Sequence, residues 1–244
     1  VDECTERALR ESLSRSFDAY LNSDYHSRFH ALEYWWQAPL QVDRLHHVLR
    51  RGPRPRPQRF VYKEPFFAFS PALIAEGLPD AKIIYIYRDG RDVANSLVES
   101  YDVLTDRELT NLKSTEMRLG RLYDERYVPW WVPEEKDEAF IESPPYVRAI
   151  WMWTYMTRRC HQCFQNEGLK GQTLYIQYEN FMQRPSEIAD RISDHLGAEN
   201  TRAFLRQVAR ARTSSIGKHE VRSSKEVDAA TEVAAPMLET LGYL

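Results

Sequence analysis

The sequence changes character twice within Lys82–Tyr101, "KIIYIYRDGRDVANSLVESY". Residues 82–87 are a nearly continuous apolar run, which is typical of a strand covered on both faces in a parallel sheet. From about Val93 the apolar spacing becomes that of a helix. Four charged side chains and one glycine separate the two patterns. A strand that leads directly into a helix predicts an α/β protein.

The rest of the chain repeats this alternation of helix and strand patterns. We predict helices over about 2–21, 38–50, 70–77, 146–166 and 185–197, with Gly197 ending the last of these and two more helices closing the chain. We predict further strands in "RFVYKEP" (59–65) and "TLYIQY" (173–178), and an irregular aromatic segment over 105–145. We therefore expect one α/β domain over 1–244, with a mostly parallel central sheet flanked by helices.

The composition is that of an ordinary globular chain: 244 residues, 43% apolar, 28% charged and a net charge of −3. This charge gives no general attraction for nucleic acid or an anionic membrane, so any bound anion requires a local cluster of donors. Three cysteines do not form a secreted disulfide framework, and cytoplasmic residence is the default expectation. Cys160 and Cys163 fall within a helical pattern, where we interpret them as ordinary helix residues.

Polar side chains follow each predicted strand. Lys63-Glu64 ends the first, Arg88 ends the second and Tyr178-Glu179 ends the third. Ligands of open parallel sheets bind beyond the carboxyl ends of the strands, so we predict a site at this edge.

Arg88 and Ser96 flank the start of the helix that follows 82–87. A guanidinium group, a hydroxyl and the free N–H groups of a helix N-terminus suit a phosphate. We expect Asp92 to cap this helix, and Asp89 and Arg91 to pair with each other or with solvent. A salt-bridged turn without a ligand is the alternative.

"YRDGRDVANS" resembles the 3′-phosphate-binding segment of sulfotransferases that use 3′-phosphoadenosine 5′-phosphosulfate. The resemblance implies that Arg88 and Ser96 hold the 3′-phosphate, and it implies the P-loop-NTPase-like α/β fold of that family. "TLYIQYEN" is similar to the family's later strand, which would bring Tyr178 near the adenine. The closing "SSIGKHEV…LETLGYL" is similar to the family's last segment, which would bring Gly217 and Lys218 near the 3′-phosphate. Tyr178 as a packing residue and Gly217 as a turn glycine are the alternatives.

The chain departs from the family in one respect. The phosphosulfate-binding loop that precedes the other motifs does not occur in the sequence. By the family's spacing we expect that loop, and the strand before it, upstream of Val1. Without it, nucleotide binding would be retained but catalysis would be in doubt.

"YKEP" resembles the family's Lys-x-His or Lys-x-Pro segment, and the resemblance makes Lys63 the cation that meets the bridging oxygen. Pro65 stands where many relatives have a histidine, so Glu64 is the candidate base, with Glu3 and Glu33 as reserves. A solvated strand end is the alternative for both residues. The donor would be 3′-phosphoadenosine 5′-phosphosulfate, and no metal is required if lysines supply the positive charge.

These features together predict transfer of a sulfuryl group to a hydroxyl or amine of a small-molecule, sugar or lipid acceptor. A P-loop-type kinase and a non-catalytic nucleotide-binding domain are the alternatives. Trp130 and Trp131 fall where relatives build the acceptor pocket or its lid, although core packing would also explain such residues. We expect no nucleic-acid partner and no membrane span within 1–244, and we leave a homodimer open.

Overall fold

The computed structural model describes residues 3–22, 61–63, 65–111 and 120–244. The chain divides into two units, one up to Asp80 and one from Ala81 onward. The predicted helix at about 38–50 and the candidate carboxylates Glu33 and Glu64 lie outside the described residues. The prediction of a single domain over 1–244 stays a prediction.

In the first unit, α1 (Glu3–Asn22) and α2 (Pro71–Gly77) confirm two predicted helices. An ion pair between Arg10 and Glu76 joins them. Residues 61–63 have no regular secondary structure, and a 3₁₀ helix occupies Pro65–Phe69. The strand predicted over 59–65 is therefore wrong in its described part. Proline cannot donate to a sheet ladder, and among the described residues no strand pairs with 61–63.

The second unit alternates strands and helices. Its strands are β1 (Ile83–Tyr87), β2 (Arg121–Tyr123), β3 (Arg126–Val128) and β4 (Thr173–Gln177). Its helices are α3 (Gly90–Tyr101), α4 (Asp106–Leu109), α5 (Asp137–Glu142), α6 (Pro145–Phe164), α7 (Glu167–Lys170), α8 (Tyr178–Gln183), α9 (Pro185–Leu196), α10 (Arg202–Val208) and α11 (Ser224–Thr240). Gly197 ends α9 in the left-handed conformation, as predicted. Short 3₁₀ turns cover Glu134–Lys136 and Lys218–Val221.

β1 and β4 pair in parallel, with Ile83 opposite Thr173 and Tyr87 opposite Gln177. Parallel neighbours need a long crossover, and here α3 to α7 provide it, so the fold class is α/β as predicted. One detail differs: Ile86 is 49% exposed, so the described residues do not cover both faces of β1 completely. Of the described strands, only β4 pairs with β1.

The segment predicted as irregular contains a short antiparallel hairpin, β2–β3, and helices α4 and α5. Asp124 and Glu125 form its two-residue turn, both with positive φ, which matches the twist of the flanking strands. Arg121 at the start of the hairpin pairs with the buried Asp137 at the start of α5. The carboxylate therefore fixes the hairpin against the helix.

The main core lies between α3, α6 and α11. Alanines at the helix contacts permit close approach, and larger side chains fill the space around them. The buried members are Ala94, Tyr146, Val147, Ala149, Ile150, Trp153, Ala230, Ala234, Met237 and Leu238. Since α3 starts at the end of β1, this core positions the edge where the predicted site lies.

Cys160 and Cys163 lie in α6, as interpreted from the sequence. Burial raises the pKa of the Cys160 thiol to about 12, so it stays protonated near neutral pH. Within the part of the chain that the structure describes, no helix is long and apolar enough to cross a membrane.

Candidate anion-binding site

The turn between β1 and α3 begins the site. Asp89 caps α3, because its side chain accepts from the Arg91 backbone N–H at 2.9 Å, and it also pairs with the Arg91 guanidinium at 2.7 Å. The predicted Asp89–Arg91 pair is confirmed. The prediction that Asp92 caps a helix starting near Val93 is wrong, since α3 already begins at Gly90.

The early start of α3 depends on Gly90. A Cβ atom at this position would lie 2.4 Å from the ring of Trp153, well inside contact distance. Only a glycine therefore permits the first turn of α3 to lie against α6 in this way. The apolar–polar pattern cannot reveal this requirement, because Trp153 is 63 residues further along the chain.

Asp92 is buried in the first turn of α3, with 1% of its surface exposed. Its Oδ2 accepts from the Gly217 backbone N–H at 2.8 Å and lies 3.2 Å from Arg88 Nη2. Its Oδ1 accepts from the backbone N–H of His219 at 3.0 Å and lies 2.8 Å from His219 Nδ1. Burial raises the pKa of Asp92, but the hydrogen bonds from His219 and Gly217 and the charge of Arg88 outweigh it and hold the pKa below its usual value.

Arg88 lies at the carboxyl end of β1 with its side chain 17% exposed. Its Nη2 donates to the Ser215 carbonyl, and its guanidinium carbon lies 4.9 Å from the centre of the Tyr178 ring. Its Nε is buried and has no hydrogen-bond partner among the described residues. A buried guanidinium N–H without a partner is costly in a protein, and an anion would satisfy it.

Tyr178 follows β4 directly, so the parallel register brings it to the same edge as Arg88. Its hydroxyl lies 2.8 Å from the Ser215 hydroxyl. The next residue, Glu179, accepts from the Asp89 backbone N–H at 3.0 Å and from the Tyr243 hydroxyl at 2.7 Å. The closing "LGY" of the chain is thereby attached beside the site.

The other predicted ligands surround this cluster. Ser96 is half-buried and lies one helical turn beyond Asp92, on the same face of α3. Gly217 has a φ of +74°, which favours glycine, and it precedes the exposed Lys218. The helix N-terminus offers one free N–H group fewer than expected, because the Asp89 side chain accepts from the Arg91 N–H.

An open groove of about 490 Å³ adjoins the cluster. Apolar and aromatic side chains from α8 and α10 line it together with two arginines from the following loop. The lining residues are Tyr178, Phe181, Met182, Phe204, Gln207, Val208, Arg210, Ala211, Arg212, Ser214 and Ser215. Because Tyr178 and Ser215 also contact Arg88, the groove and the cationic cluster share a wall.

The structure thus brings Arg88, Tyr178 and Gly217 together within the second unit, with Ser96 and Lys218 on the adjoining helix face and loop. Lys63 is exposed and belongs to the first unit. The sequence interpretation assigned no role to His219 and did not consider Ser215. Asp92 is the second acidic residue of "RDGRD". Its place in the sequence predicts only a helix cap and gives no sign of the contacts with Gly217 and His219.

The described residues form an α/β fold with a candidate anion-binding cluster around Arg88 at the carboxyl edge of a parallel strand pair. A model of the sulfotransferase family matches residues 5–138, more than half of the chain. The chain belongs to the sulfotransferase family. The match includes Arg88 and Ser96, whereas Tyr178, Gly217 and Lys218 lie beyond it.

Among curated proteins, no relative matches the sequence. Among solved structures, the chain is similar to a sulfotransferase domain from the curacin biosynthetic pathway, with 17% identity and a TM-score of 0.43. The alignment covers 75% of this chain and 62% of that domain. The chain therefore spans less than two thirds of the solved domain's length.

Proposed function

We propose that this member of the sulfotransferase family takes its sulfuryl group from 3′-phosphoadenosine 5′-phosphosulfate and transfers it to a hydroxyl or amine. The acceptor would be a small molecule, a sugar or a lipid, and the released product adenosine 3′,5′-bisphosphate. The observation that carries the proposal is the arrangement of Arg88 at the edge where ligands of parallel sheets bind, with its buried Nε lacking a hydrogen-bond partner among the described residues.

The residues present fit a 3′-phosphate. Arg88 would supply the guanidinium, Ser96 a hydroxyl, and Lys218 a second positive charge, with Gly217 holding the backbone of the loop. Arginine donates from several N–H groups at fixed angles, so it can keep its bond to Ser215 and still bind a phosphate oxygen through Nε.

The neighbouring groove fits a nucleoside. Its apolar and aromatic lining supports stacking of a base, and Tyr178 joins this lining to Arg88. A ligand with a flat apolar ring and a phosphate at one side would use both surfaces at once. Adenosine 3′-phosphate is such a ligand.

Catalytic roles are proposed for Lys63 and Glu64 on the resemblance of their segment to the family. The donor supplies the sulfuryl group. Lys63 would stabilise charge on the departing phosphate oxygen, and Glu64 would accept the proton of the acceptor hydroxyl.

Calorimetric titration with adenosine 3′,5′-bisphosphate tests the proposal. We expect the wild-type protein to bind, and Arg88→Ala to lose at least about tenfold in affinity because a charge-assisted hydrogen bond to phosphate contributes about 1.5–3 kcal/mol. Arg121→Ala is the matched control, since Arg121 also pairs with a buried aspartate, Asp137, but lies on the hairpin.

Absence of binding by the wild-type protein would contradict the proposal. Equal losses in Arg88→Ala and Arg121→Ala would show that the effect is one of stability. A chelator distinguishes the kinase alternative, because phosphoryl transfer of that type depends on Mg²⁺ whereas the proposed sulfuryl transfer does not.

A further inference from the structure

We propose that Asp92 is a positioning residue that makes the site selective for a 3′-phosphorylated nucleotide, by fixing residues 215–219 against Arg88. This inference rests on the proposed function and adds a role for two residues, Asp92 and His219, that are not themselves proposed as phosphate ligands. It concerns how the site is held in shape before a ligand binds.

The Asp92 carboxylate accepts from four donors. Its Oδ2 interacts with the Gly217 backbone N–H and with Arg88, and its Oδ1 interacts with the backbone N–H and the ring of His219. Since the carboxylate only accepts, the Nδ1 atom of His219 is the donor. A buried aspartate 1% exposed is stable in this position only because such donors satisfy it.

Two of these donors belong to residues on either side of Lys218 in the loop 215–219. These residues are Gly217 and His219, and the Lys218 side chain between them is exposed. With both flanking N–H groups bound to Asp92, the backbone of Lys218 is held in one position while its side chain stays accessible. Ser215, two residues before Gly217, binds Arg88 and Tyr178. The loop is thus attached at three alternate residues, and Asp92 holds two of them.

Asp92 also pairs directly with Arg88. Asp92 Oδ2 and the Ser215 carbonyl both bind Arg88 Nη2, so they orient the guanidinium and leave its Nε buried without a partner among the described residues. The same carboxylate therefore sets both cations proposed for the 3′-phosphate, Arg88 and Lys218. Asp92 and His219 themselves are not among the residues that line the groove proposed for the base.

Asp92→Asn and His219→Ala test the inference. An asparagine has the shape of the aspartate, but its amide NH₂ would face either the Gly217 N–H or the His219 donors, and two donors repel. His219→Ala removes only the ring donor and leaves the Asp92 charge in place. Asp137→Asn is the matched control, since Asp137 is another buried aspartate paired with an arginine.

The readout is the ratio of the affinities for adenosine 3′,5′-bisphosphate and adenosine 5′-monophosphate, which differ only in the 3′-phosphate. We expect this ratio to fall at least about tenfold in Asp92→Asn, the equivalent of one charge-assisted hydrogen bond, and to a lesser extent in His219→Ala. The ratio should stay at the wild-type value in Asp137→Asn. A merely structural role would weaken both ligands equally and leave the ratio unchanged.

The possible failures are distinguishable. If the wild-type protein does not bind the bisphosphate, the proposed function fails and this inference fails with it. If the wild-type protein binds but both variants keep its ratio, the inference alone is overturned. A higher ratio in Asp92→Asn would also overturn it, because the carboxylate would then act mainly by repelling the anion. Should Asp92→Asn not fold, His219→Ala decides by the same criterion.

Discussion

At the scale of single residues, the four charged side chains of Arg88–Asp92 form two separate pairs, which the sequence pattern alone does not show. Arg88 and Asp92 pair with each other in the candidate anion site, whereas Asp89 caps α3 and pairs with Arg91. The place of Arg88 directly after a strand predicts it as a ligand-binding residue, and this stays a prediction. The prediction of Asp92 as the cap is wrong, because either aspartate satisfies the local rules for a cap.

Gly90→Ala provides a prediction at this scale. The new Cβ would meet the Trp153 ring at 2.4 Å, so the first turn of α3 and α6 must move apart. We expect a loss of roughly 1–3 kcal/mol in the free energy of unfolding, the usual cost of overpacking. Urea denaturation measures it. Gly171→Ala is the control, since its added Cβ has no neighbour within 4 Å; similar losses in both variants would contradict the prediction.

At the scale of elements, the two adjacent tryptophans after the hairpin have different environments. Trp131 is 5% exposed and packs against Phe140 and Tyr155. Trp130 is 42% exposed and contacts Tyr155 edge-on. The core-packing interpretation therefore applies to Trp131, and Trp130 retains an accessible ring face. We propose Trp130 alone as an acceptor-binding side chain.

These environments predict opposite outcomes for the two tryptophans. Trp131→Ala should lower the free energy of unfolding by about 3–5 kcal/mol, as for other buried aromatic side chains. Trp130→Ala should affect stability little but raise the KM for the acceptor, with binding of adenosine 3′,5′-bisphosphate unchanged. Thermal denaturation and assays with phenols, sugars and lipid alcohols measure these effects. An unaltered acceptor KM in Trp130→Ala would contradict its assignment.

At the scale of the whole molecule, the proposed functional residues are divided between the two units. Lys63 belongs to the first unit, and Arg88 with its surrounding cluster belongs to the second. The family match spans the boundary between them. The proposed activity therefore assigns binding of the 3′-phosphate and the base to residues after Asp80, and charge stabilisation and proton transfer to residues before it.

This division predicts a separation of binding from turnover. Glu64→Gln should bind adenosine 3′,5′-bisphosphate like the wild-type protein but lose sulfuryl transfer by roughly 10²-fold or more, the usual contribution of an acid–base group. Lys63→Ala should lose transfer by a similar factor and also bind the bisphosphate more weakly, because Lys63 is proposed to meet an oxygen of its 5′-phosphate. Titration and radiolabelled-sulfate transfer measure the two properties. Either variant retaining the full transfer rate would exclude its residue from catalysis.

The sequence by itself determined the features that depend on neighbours along the chain. The apolar runs predicted β1 and β4, and their parallel direction brought Arg88 and Tyr178 to one edge. The resemblance to the family rests on the same local segments. The strand predicted over 59–65 was wrong in its described part, because an apolar run before a proline also suits a non-strand segment.

Only the tertiary structure decided the features that join distant residues. Asp92 meets Gly217 across 125 positions and His219 across 127, Gly90 lies against Trp153, and Glu179 accepts from Tyr243. The physical reason is that hydrogen bonding and close packing act between atoms that are near in space. A local sequence pattern indicates which residues are able to cap a helix or form a turn. The packing of α3, α6 and α11 determines which of them does so.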